Sequence, residues 1–191
     1  MATQQVFLVR HGETAWTIEG RHTGRTEIPL TERGRQQAAA LKPQLSDRPF
    51  ALVLTSPLGR AMETCRLAGF GERAQARPDL AEWDYGSYDG LTTAQINATR
   101  PDWSLWRDGG PQGETAADVG HRVDRVIAEA RAAAGDVLLF AHGHVLRVLA
   151  ARWLGQSPKA GRFYALKTAA RSILSYEHHD PVIERWNLPP A

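Results

Sequence analysis

The sequence predicts an α/β fold, a three-layer α/β/α sandwich in which helices cover both faces of a mostly parallel central sheet. Three short segments, at residues 5–9, 51–55 and 136–140, are dominated by Val, Leu and Phe. Such nearly continuous apolar runs are typical of strands that are buried on both faces of a parallel sheet. A helical pattern follows each segment, and strands that alternate with helices indicate βαβ units.

The expected helices are indicated by the spacing of apolar residues and by residues that favour helix ends. We expect helices that open at Thr31, at Ser56-Pro57 and at Thr115, and a fourth helix over residues 145–154. Gly69 and Gly155 stand where the second and fourth helices would end, because glycine readily adopts the left-handed conformation found there. Residues 172–177 and 182–186 predict two further strands.

Length and composition predict the domain organisation. A chain of 191 residues is typical of a single domain, so we assign residues 1–191 to one domain. Hydrophobic residues make up 42% of the chain and charged residues 23%, which are the proportions of a globular protein and not of a disordered one. The region from Arg77 to Gly113 is rich in Gly, Pro and Trp and has only short helical patterns, so we expect a lid-like wall there rather than core.

Charge and apolar patterning exclude several classes of protein. The 23 Lys and Arg residues nearly balance 21 Asp and Glu residues, so no nucleic-acid-binding surface is indicated. The longest apolar run, 137–141, is far shorter than the ~20 residues of a membrane-spanning helix, and the first residues lack a secretory-signal pattern. The single cysteine, Cys65, excludes an internal disulfide. We therefore expect a cytoplasmic enzyme or binding protein without nucleic-acid or membrane partners.

Arginine and histidine residues follow all three predicted parallel strands. Arg10-His11 comes directly after the first strand, Arg60 lies shortly after the second, and His142 follows the third. Because the carboxyl ends of parallel strands meet at one edge of a sheet, where α/β proteins bind ligands, we expect these side chains to surround one cleft. Guanidinium groups and the N–H groups of helix starts bind phosphoryl oxygens well. The sequence therefore predicts a site for a phosphoryl group.

The motifs around these residues resemble those of the histidine phosphatase superfamily, the phosphoglycerate mutase-like proteins, from about residue 6 to residue 152. They are Leu8-Val9-Arg10-His11-Gly12-Glu13-Thr14, Thr55-Ser56-Pro57 with Arg60-Ala61, Leu80-Ala81-Glu82 with Gly86, and Ala141-His142-Gly143-His144. An Arg-His-Gly motif alone would be weak, but four motifs in the family's order at matching strand ends are specific.

The resemblance implies a phosphoglycerate mutase-like fold and a two-step phosphoryl transfer with no metal or other cofactor. His11 would be the nucleophile that becomes phosphohistidine, in a tautomer fixed by a backbone carbonyl, and Arg10, Arg60 and His142 would hold the phosphoryl oxygens as three cations. Glu82 would protonate the departing alkoxide and then activate water. The further substrate contacts implied are Thr17, Thr23, Gly24 and Gly143.

Departures from the family pattern bear on the reaction. Thr17 stands where many mutases have Asn, and the chain is too short for the long insertion with which mutases bind phosphoglycerates. The motif Glu82-Trp83-Asp84-Tyr85-Gly86 is more similar to a branch that contains sedoheptulose bisphosphatase and broad-specificity acid phosphatases. We therefore expect hydrolysis of small phosphorylated metabolites such as sugar phosphates or bisphosphates. A phosphoglycerate mutase and a non-catalytic phospho-ligand-binding protein are the alternatives.

Other residues of the motifs have two interpretations each. His142 and His144 could form a metal-ligand pair, but the additional histidines and carboxylates of a metallohydrolase signature are missing. Asp84 stands two residues after Glu82 and competes with it for the acid role.

The sequence does not determine which residues near the motifs line the cleft. His22, Arg21 and Arg25 either reach the substrate or lie on a solvated loop. The three tryptophans of the lid-like region either wall the pocket or pack in the core; they are Trp83, Trp103 and Trp106. The sequence does not determine the oligomeric state, and a homodimer is the alternative to a monomer.

Overall fold

The structure, a computed structural model, describes residues 4–190 and contains one six-stranded sheet in that range. The strands are β1 (Val6–Arg10), β2 (Leu52–Thr55), β3 (Gln75–Ala76), β4 (Val137–Ala141), β5 (Arg171–Glu177) and β6 (Asp180–Leu188). Their order is β3-β2-β4-β1-β5-β6, and the first four strands in this order are parallel, whereas β5 and β6 are antiparallel to their neighbours. The mostly parallel sheet and all five predicted strands are confirmed, and β3 was not predicted.

Helices connect the strands and cover the sheet. They are α1 (Ala15–Glu19), α2 (Glu32–Ala40), α3 (Lys42–Leu45), α4 (Gly59–Leu67), α5 (Thr93–Thr99), α6 (Leu105–Asp108), α7 (Ala116–Ala132) and α8 (Gly143–Trp153). The four predicted helices correspond to α2, α4, α7 and α8, and the side chains of Thr31 and Thr115 cap α2 and α7 as expected. Among residues 4–190, no helix is long and apolar enough to cross a membrane.

Alternate residues of the parallel strands face opposite sides of the sheet, and each side has its own apolar core. One set packs against α7 and α8 and includes Val6, Leu8, Leu54, Val137 and Leu139. The other set packs against residues of α3 and α4 and against Leu41, which joins α2 to α3, and it includes Phe7, Val9, Val53, Leu138 and Phe140. Because both faces are buried, the strands read as continuous apolar runs, and the three-layer prediction is confirmed.

Residues 77–113 contribute to the core, contrary to the expectation of a wall outside it. The buried side chains from this region are Leu80, Trp83, Tyr85, Ile96, Trp103 and Leu105, and they belong to the same core as α7 and α8. The frequent Gly and Pro residues reflect tight turns between short helices, which still present large apolar side chains inward. The expectation was wrong because it weighted local turn residues above the aromatic side chains between them.

The carboxyl ends of β1, β2 and β4 lie side by side. Arg10 pairs in register with Ala141, and Thr55 pairs with Phe140. The backbone N–H of His11 then donates to the carbonyl of Ala141 at 2.9 Å, just beyond the end of β1. The sheet therefore brings the residues after these three strands to one edge, as the sequence predicts.

Candidate active site

His11 lies at the centre of this edge and is buried, at 3% exposure. Its Nδ1 is 2.7 Å from the carbonyl oxygen of Gly12. A carbonyl can only accept a hydrogen bond, so Nδ1 carries the proton and Nε2 keeps a lone pair. Burial lowers the pKa of His11 well below its usual value, and the positive charges of Arg10 and Arg60 add to the effect. His11 is therefore a neutral imidazole whose unprotonated Nε2 has its lone pair available.

Two glycines allow the loop after His11 to lie against α2. A Cβ atom on Gly12 would stand 2.3 Å from the carbonyl oxygen of Gly34, and one on Gly34 would stand 2.1 Å from that of Glu13. The N–H of Gly12 also donates to the hydroxyl of Thr64 on α4, at 3.1 Å. The loop is thus fixed by backbone contacts on two sides, which holds the His11 ring in place.

Arg10 lies partly buried beside His11, and part of its hydrogen-bonding capacity is unused. Its Nη1 donates to the carbonyl of Leu166 at 2.6 Å, whereas its Nε has no partner within the described chain. Burial lowers the pKa of the Arg10 guanidinium, while the nearby charge of Glu82 opposes that shift. An unpaired buried N–H is costly, and an anionic ligand would satisfy it.

Arg60, in the first turn of α4, is almost completely buried and holds the loop that carries Thr23 and Gly24. Its guanidinium donates to the carbonyls of Thr23, Gly24 and Thr26, at 3.1, 2.7 and 3.0 Å. Its Nε donates to Nδ1 of His142, at 3.1 Å. Burial lowers the pKa of Arg60, and Glu82 is the main charge that opposes the shift. Arg60 is therefore both a fixed cation and a structural anchor.

The hydrogen bonds of His142 define its charge state. Because a guanidinium can only donate, Nδ1 of His142 is the acceptor, and Nε2 carries the proton 2.7 Å from the hydroxyl of Ser56. Burial lowers the pKa of His142 well below its usual value, and the positive charge of Arg60 lowers it further. The expectation of three cations is therefore wrong: Arg10 and Arg60 are charged, and His142 is a neutral hydrogen-bonding group.

Glu82 reaches the site at the amino-terminal end of α8. Its Oε1 accepts from the backbone N–H groups of Trp83 and Val145, both at 2.9 Å, and its Oε2 accepts from that of His144 at 3.0 Å. Two of these donors belong to the first turn of α8, where the helix dipole favours a negative charge. The carboxylate is thus oriented by the backbone alone.

Asp84, the competing carboxylate, is held elsewhere. Its Oδ1 accepts from the N–H of Gly86, and its Oδ2 pairs with Nε of Arg25, at 2.9 and 2.8 Å. Neither Asp84 nor Arg25 lines the cavity beside His11. The structure therefore brings Glu82, and not Asp84, to His11, and it assigns Arg25 to an exposed ion pair.

A cavity of about 180 Å³, here called the His11 cavity, opens beside these groups. Its lining is polar and rich in cations: Arg10, His11, Thr17, Gly20, Arg21, His22, Thr23, Glu82, Tyr85, Gly143, His144, Arg147 and Leu166. Of the residues that the sequence predicted, Arg60, His142 and Gly24 lie behind this lining. Gly24 supports the wall through its carbonyl, which accepts from Arg60.

Besides Gly20, four lining residues were not assigned a substrate contact from the sequence. Tyr85 and His144 lie within the quoted motifs, and Arg147 stands one helical turn after His144, a spacing that could have indicated it. The fourth, Leu166, carries no recognisable signal. The hydroxyl of Tyr85 lies 2.7 Å from Nδ1 of His144. Burial raises the pKa of Tyr85 and lowers that of His144, so the two groups face the cavity uncharged.

The tryptophans pack behind the cavity and do not line it. The indole N–H of Trp83 donates to the carbonyl of Glu114 at 2.8 Å, and that of Trp103 donates to Gly109 at 2.9 Å. The ring of Trp106 lies between His144 and the guanidinium of Arg147, whose carbon is 4.7 Å from the ring centre. Core packing, the second interpretation of these residues, is therefore the correct one.

The donor set of the site is suited to an anion. Within residues 4–190, no group of three or more His, Cys, Asp and Glu side chains is arranged to hold a metal ion. Both ring nitrogens of His142 have protein partners, so the His142–His144 pair does not present two free ligands. A basic imidazole nitrogen, two guanidinium groups and one carboxylate can together carry out nucleophilic transfer of a phosphoryl group.

Comparisons with known proteins agree with this chemistry. The sequence profile of the histidine phosphatase superfamily (branch 1) matches residues 6–189. An acid phosphatase of Mycobacterium tuberculosis is 42% identical over 91% of this chain and 87% of its own length. A sedoheptulose 1,7-bisphosphatase of Saccharomyces cerevisiae is 35% identical over 80% of this chain and 68% of its own length.

A solved structure of an open reading frame from M. tuberculosis has the same fold. It superposes with a TM-score of 0.91 and 39% sequence identity, and the match covers 98% of this chain and 99% of that one.

Proposed function

The chain belongs to the histidine phosphatase superfamily, and we propose that it hydrolyses small phosphomonoesters through a phosphohistidine formed on His11. The observation that carries this proposal is the hydrogen bond from Nδ1 of His11 to the carbonyl of Gly12. It leaves the lone pair of Nε2 available, and Arg10, with its unpaired Nε, lies beside the ring. The phosphatase assignment agrees with the acid phosphatase and bisphosphatase relatives.

In the first step, the Nε2 lone pair of His11 attacks phosphorus and the bond from phosphorus to the ester oxygen breaks. Glu82, protonated when the substrate binds, gives its proton to the departing alkoxide. The imidazole ring then carries a positive charge, which the carbonyl of Gly12 stabilises through Nδ1–H. Arg10 and Arg60 neutralise the charge that develops on the phosphoryl oxygens.

In the second step, the carboxylate of Glu82 removes a proton from water as that water attacks phosphorus. The bond from phosphorus to Nε2 breaks, and its electron pair returns to the ring. Inorganic phosphate is released, and neutral His11 and protonated Glu82 are restored. The three backbone N–H groups around Glu82 hold its carboxylate in place between the two steps.

A direct test is to mix the protein with ³²P-labelled substrate and to quench the reaction within milliseconds. Label bound to the protein is expected to be stable in alkali and labile in acid, as a phosphoramidate is. His11→Ala is expected to lose both the label and turnover, whereas His121→Ala, on the exposed face of α7, keeps them. Label on a serine or an aspartate would overturn the mechanism.

A phosphoglycerate mutase would give a different product balance. Release of inorganic phosphate without isomerisation of a phosphoglycerate, even with a bisphosphate primer present, is the outcome expected of a phosphatase. A protein that only binds phosphorylated ligands would show neither product. The cytoplasmic location and the monomer-or-dimer question stay predictions from the sequence.

A further inference from the structure

A second cavity, of about 570 Å³ and here called the Lys167 cavity, adjoins the site and shares Arg10 and Thr17 with the His11 cavity. Its lining includes Lys167 and Arg33 as additional cations and one carboxylate, that of Glu13. Cations therefore outnumber carboxylates in a space that is larger than the His11 cavity. None of these additional groups has a role in the proposed phosphoryl transfer.

The single carboxylate does not neutralise this cavity. The Glu13 side chain is 14% exposed and accepts a hydrogen bond from the hydroxyl of Thr31 at 2.9 Å. Its nearest cation is Arg33, at 3.6 Å, and the Arg33 side chain is 75% exposed. An ion pair at that distance and exposure is weak, so most of the positive charge of Arg33 remains available to a ligand.

Two amide side chains present donors to the same space. The oxygen of Gln37 accepts from the N–H of Glu13, and the oxygen of Asn187 accepts from the N–H of Lys167, at 2.9 and 2.8 Å. Within residues 4–190, the amide nitrogens of Gln37 and Asn187 make no hydrogen bond of their own. Donors without acceptors in a net-positive cavity favour a ligand that carries oxygens with negative charge.

We propose that the Lys167 cavity binds a second anionic group of the substrate, so that the preferred substrates carry two anionic groups. This inference rests on the proposed function, because it assumes that one phosphoryl group occupies the His11 cavity. Arg10 lines both cavities and lies between the two anionic groups. Lys167 and Arg33 would then determine specificity without taking part in bond breaking.

The test compares butane-1,4-diol bisphosphate with butane-1,4-diol monophosphate. Their leaving groups are nearly the same, so the ratio of the two kcat/KM values measures the contribution of the second phosphate. A ratio of two is expected from the doubled number of reactive groups alone. Binding in the Lys167 cavity should raise it by a further factor of roughly five, as expected for a partly exposed charge pair.

Two variants and a matched control assign the preference to residues. Lys167→Met and Arg33→Met are each expected to lower the ratio roughly twofold, and the double variant should lower it to about two. Lys159→Met removes an equally exposed lysine that lines neither cavity, and it should leave the ratio unchanged. A wild-type ratio of two, or a high ratio that survives in the double variant, would overturn the proposal.

Calorimetry on His11→Ala separates this inference from the proposed function. The variant cannot form phosphohistidine, so the dissociation constants of the two probes report binding alone. Bisphosphate binding that is tighter by clearly more than the statistical factor of two supports the second subsite even where the wild-type protein shows no turnover. Turnover of both probes, with dissociation constants that differ by no more than this factor, would refute the subsite and leave the phosphatase assignment intact.

Discussion

The Nδ1 atom of His11 lies 2.7 Å from the carbonyl oxygen of Gly12, the next residue in the chain. A contact between adjacent residues depends on the local backbone conformation and on the rotamer of one side chain, so the tautomer of His11 is fixed before any ligand binds. The same loop is held by the close approach of Gly12 to Gly34. Backbone geometry thus determines which ring nitrogen is the nucleophile.

The acid limb of the pH–rate profile is expected to lie below the usual pKa of a histidine side chain. Burial and two neighbouring guanidinium groups lower the pKa of His11, so the nucleophilic neutral form persists as the pH falls. After correction for ionisation of the substrate, kcat/KM should decline only when the pH passes this lowered pKa. A ¹⁵N NMR titration, assigned with His11→Ala, should show Nε2 unprotonated at pH 6.5. A midpoint at or above the ordinary value of 6.5 would contradict this prediction.

The packing of Gly34 against the loop after His11 predicts a linked loss of stability and activity. In Gly34→Ala, the new Cβ would overlap backbone atoms of Glu13, which cannot rotate away as a side chain could. We expect a loss of about 1–3 kcal/mol in the free energy of unfolding, together with reduced kcat. The measurements are urea denaturation and phosphate release.

Gly155→Ala is the matched control for that variant. Gly155 has φ +72° and no atom within 4 Å of its missing Cβ, so the change costs only backbone strain. It should lower stability by about 1 kcal/mol without altering kcat. Equal kcat losses in the two variants would show that the Gly34 contact does not position His11.

The layers of the fold could be predicted from sequence because buried strands have a strong signal. The sequence segments that form β1, β2 and β4 are apolar on both faces. Thr31 and Thr115 clearly mark the starts of α2 and α7. β3 could not be predicted, because its two residues, Gln75 and Ala76, are exposed and polar or small. The helices α1, α3, α5 and α6 have seven residues or fewer, too few for a periodic pattern to stand out.

The identity of the site residues was more predictable than their charge and neighbours. The motifs place His11, Arg10 and Glu82 at the cavity, but the neutral state of His142 depends on its contacts with Arg60 and Ser56. Those contacts join residues more than 80 positions apart, and no local pattern reports them. Leu166 likewise reaches the cavity only through tertiary packing.

Activity is expected to persist in the presence of chelators. Arg10 and Arg60 supply fixed positive charge at the site, which can stabilise the transferring phosphoryl group without a metal. EDTA should therefore leave phosphate release unchanged, and vanadate should inhibit competitively because it can adopt five-coordinate geometry. Loss of activity in EDTA that zinc or magnesium restores would contradict the proposed mechanism.

The role of Glu82 predicts a dependence on the leaving group. A sugar alkoxide needs a proton as it departs, whereas nitrophenolate leaves almost unaided. General acid catalysis is typically worth about 10²–10⁴-fold, so Glu82→Gln should reduce kcat/KM, which covers only the steps up to phosphohistidine formation, by that factor on a sugar phosphate and much less on nitrophenyl phosphate. Asp84→Asn is the matched control, since Asp84 pairs with Arg25 outside the cavity. It should affect both substrates equally and slightly.

Glu82→Gln is also expected to change the stability of the protein, so stability must be measured together with the two rates. In Glu82→Gln, the amide oxygen can replace Oε1, which accepts from Trp83 and Val145, but the amide nitrogen then faces the N–H of His144. Two donors facing each other should cost about 1–3 kcal/mol of stability at the start of α8. A structural loss of this kind lowers the rates on both substrates by one factor, so only the difference between substrates reports the proton transfer. If Glu82→Gln slows both substrates equally while Asp84→Asn shows the leaving-group dependence, the acid is Asp84 and Glu82 serves only to hold α8.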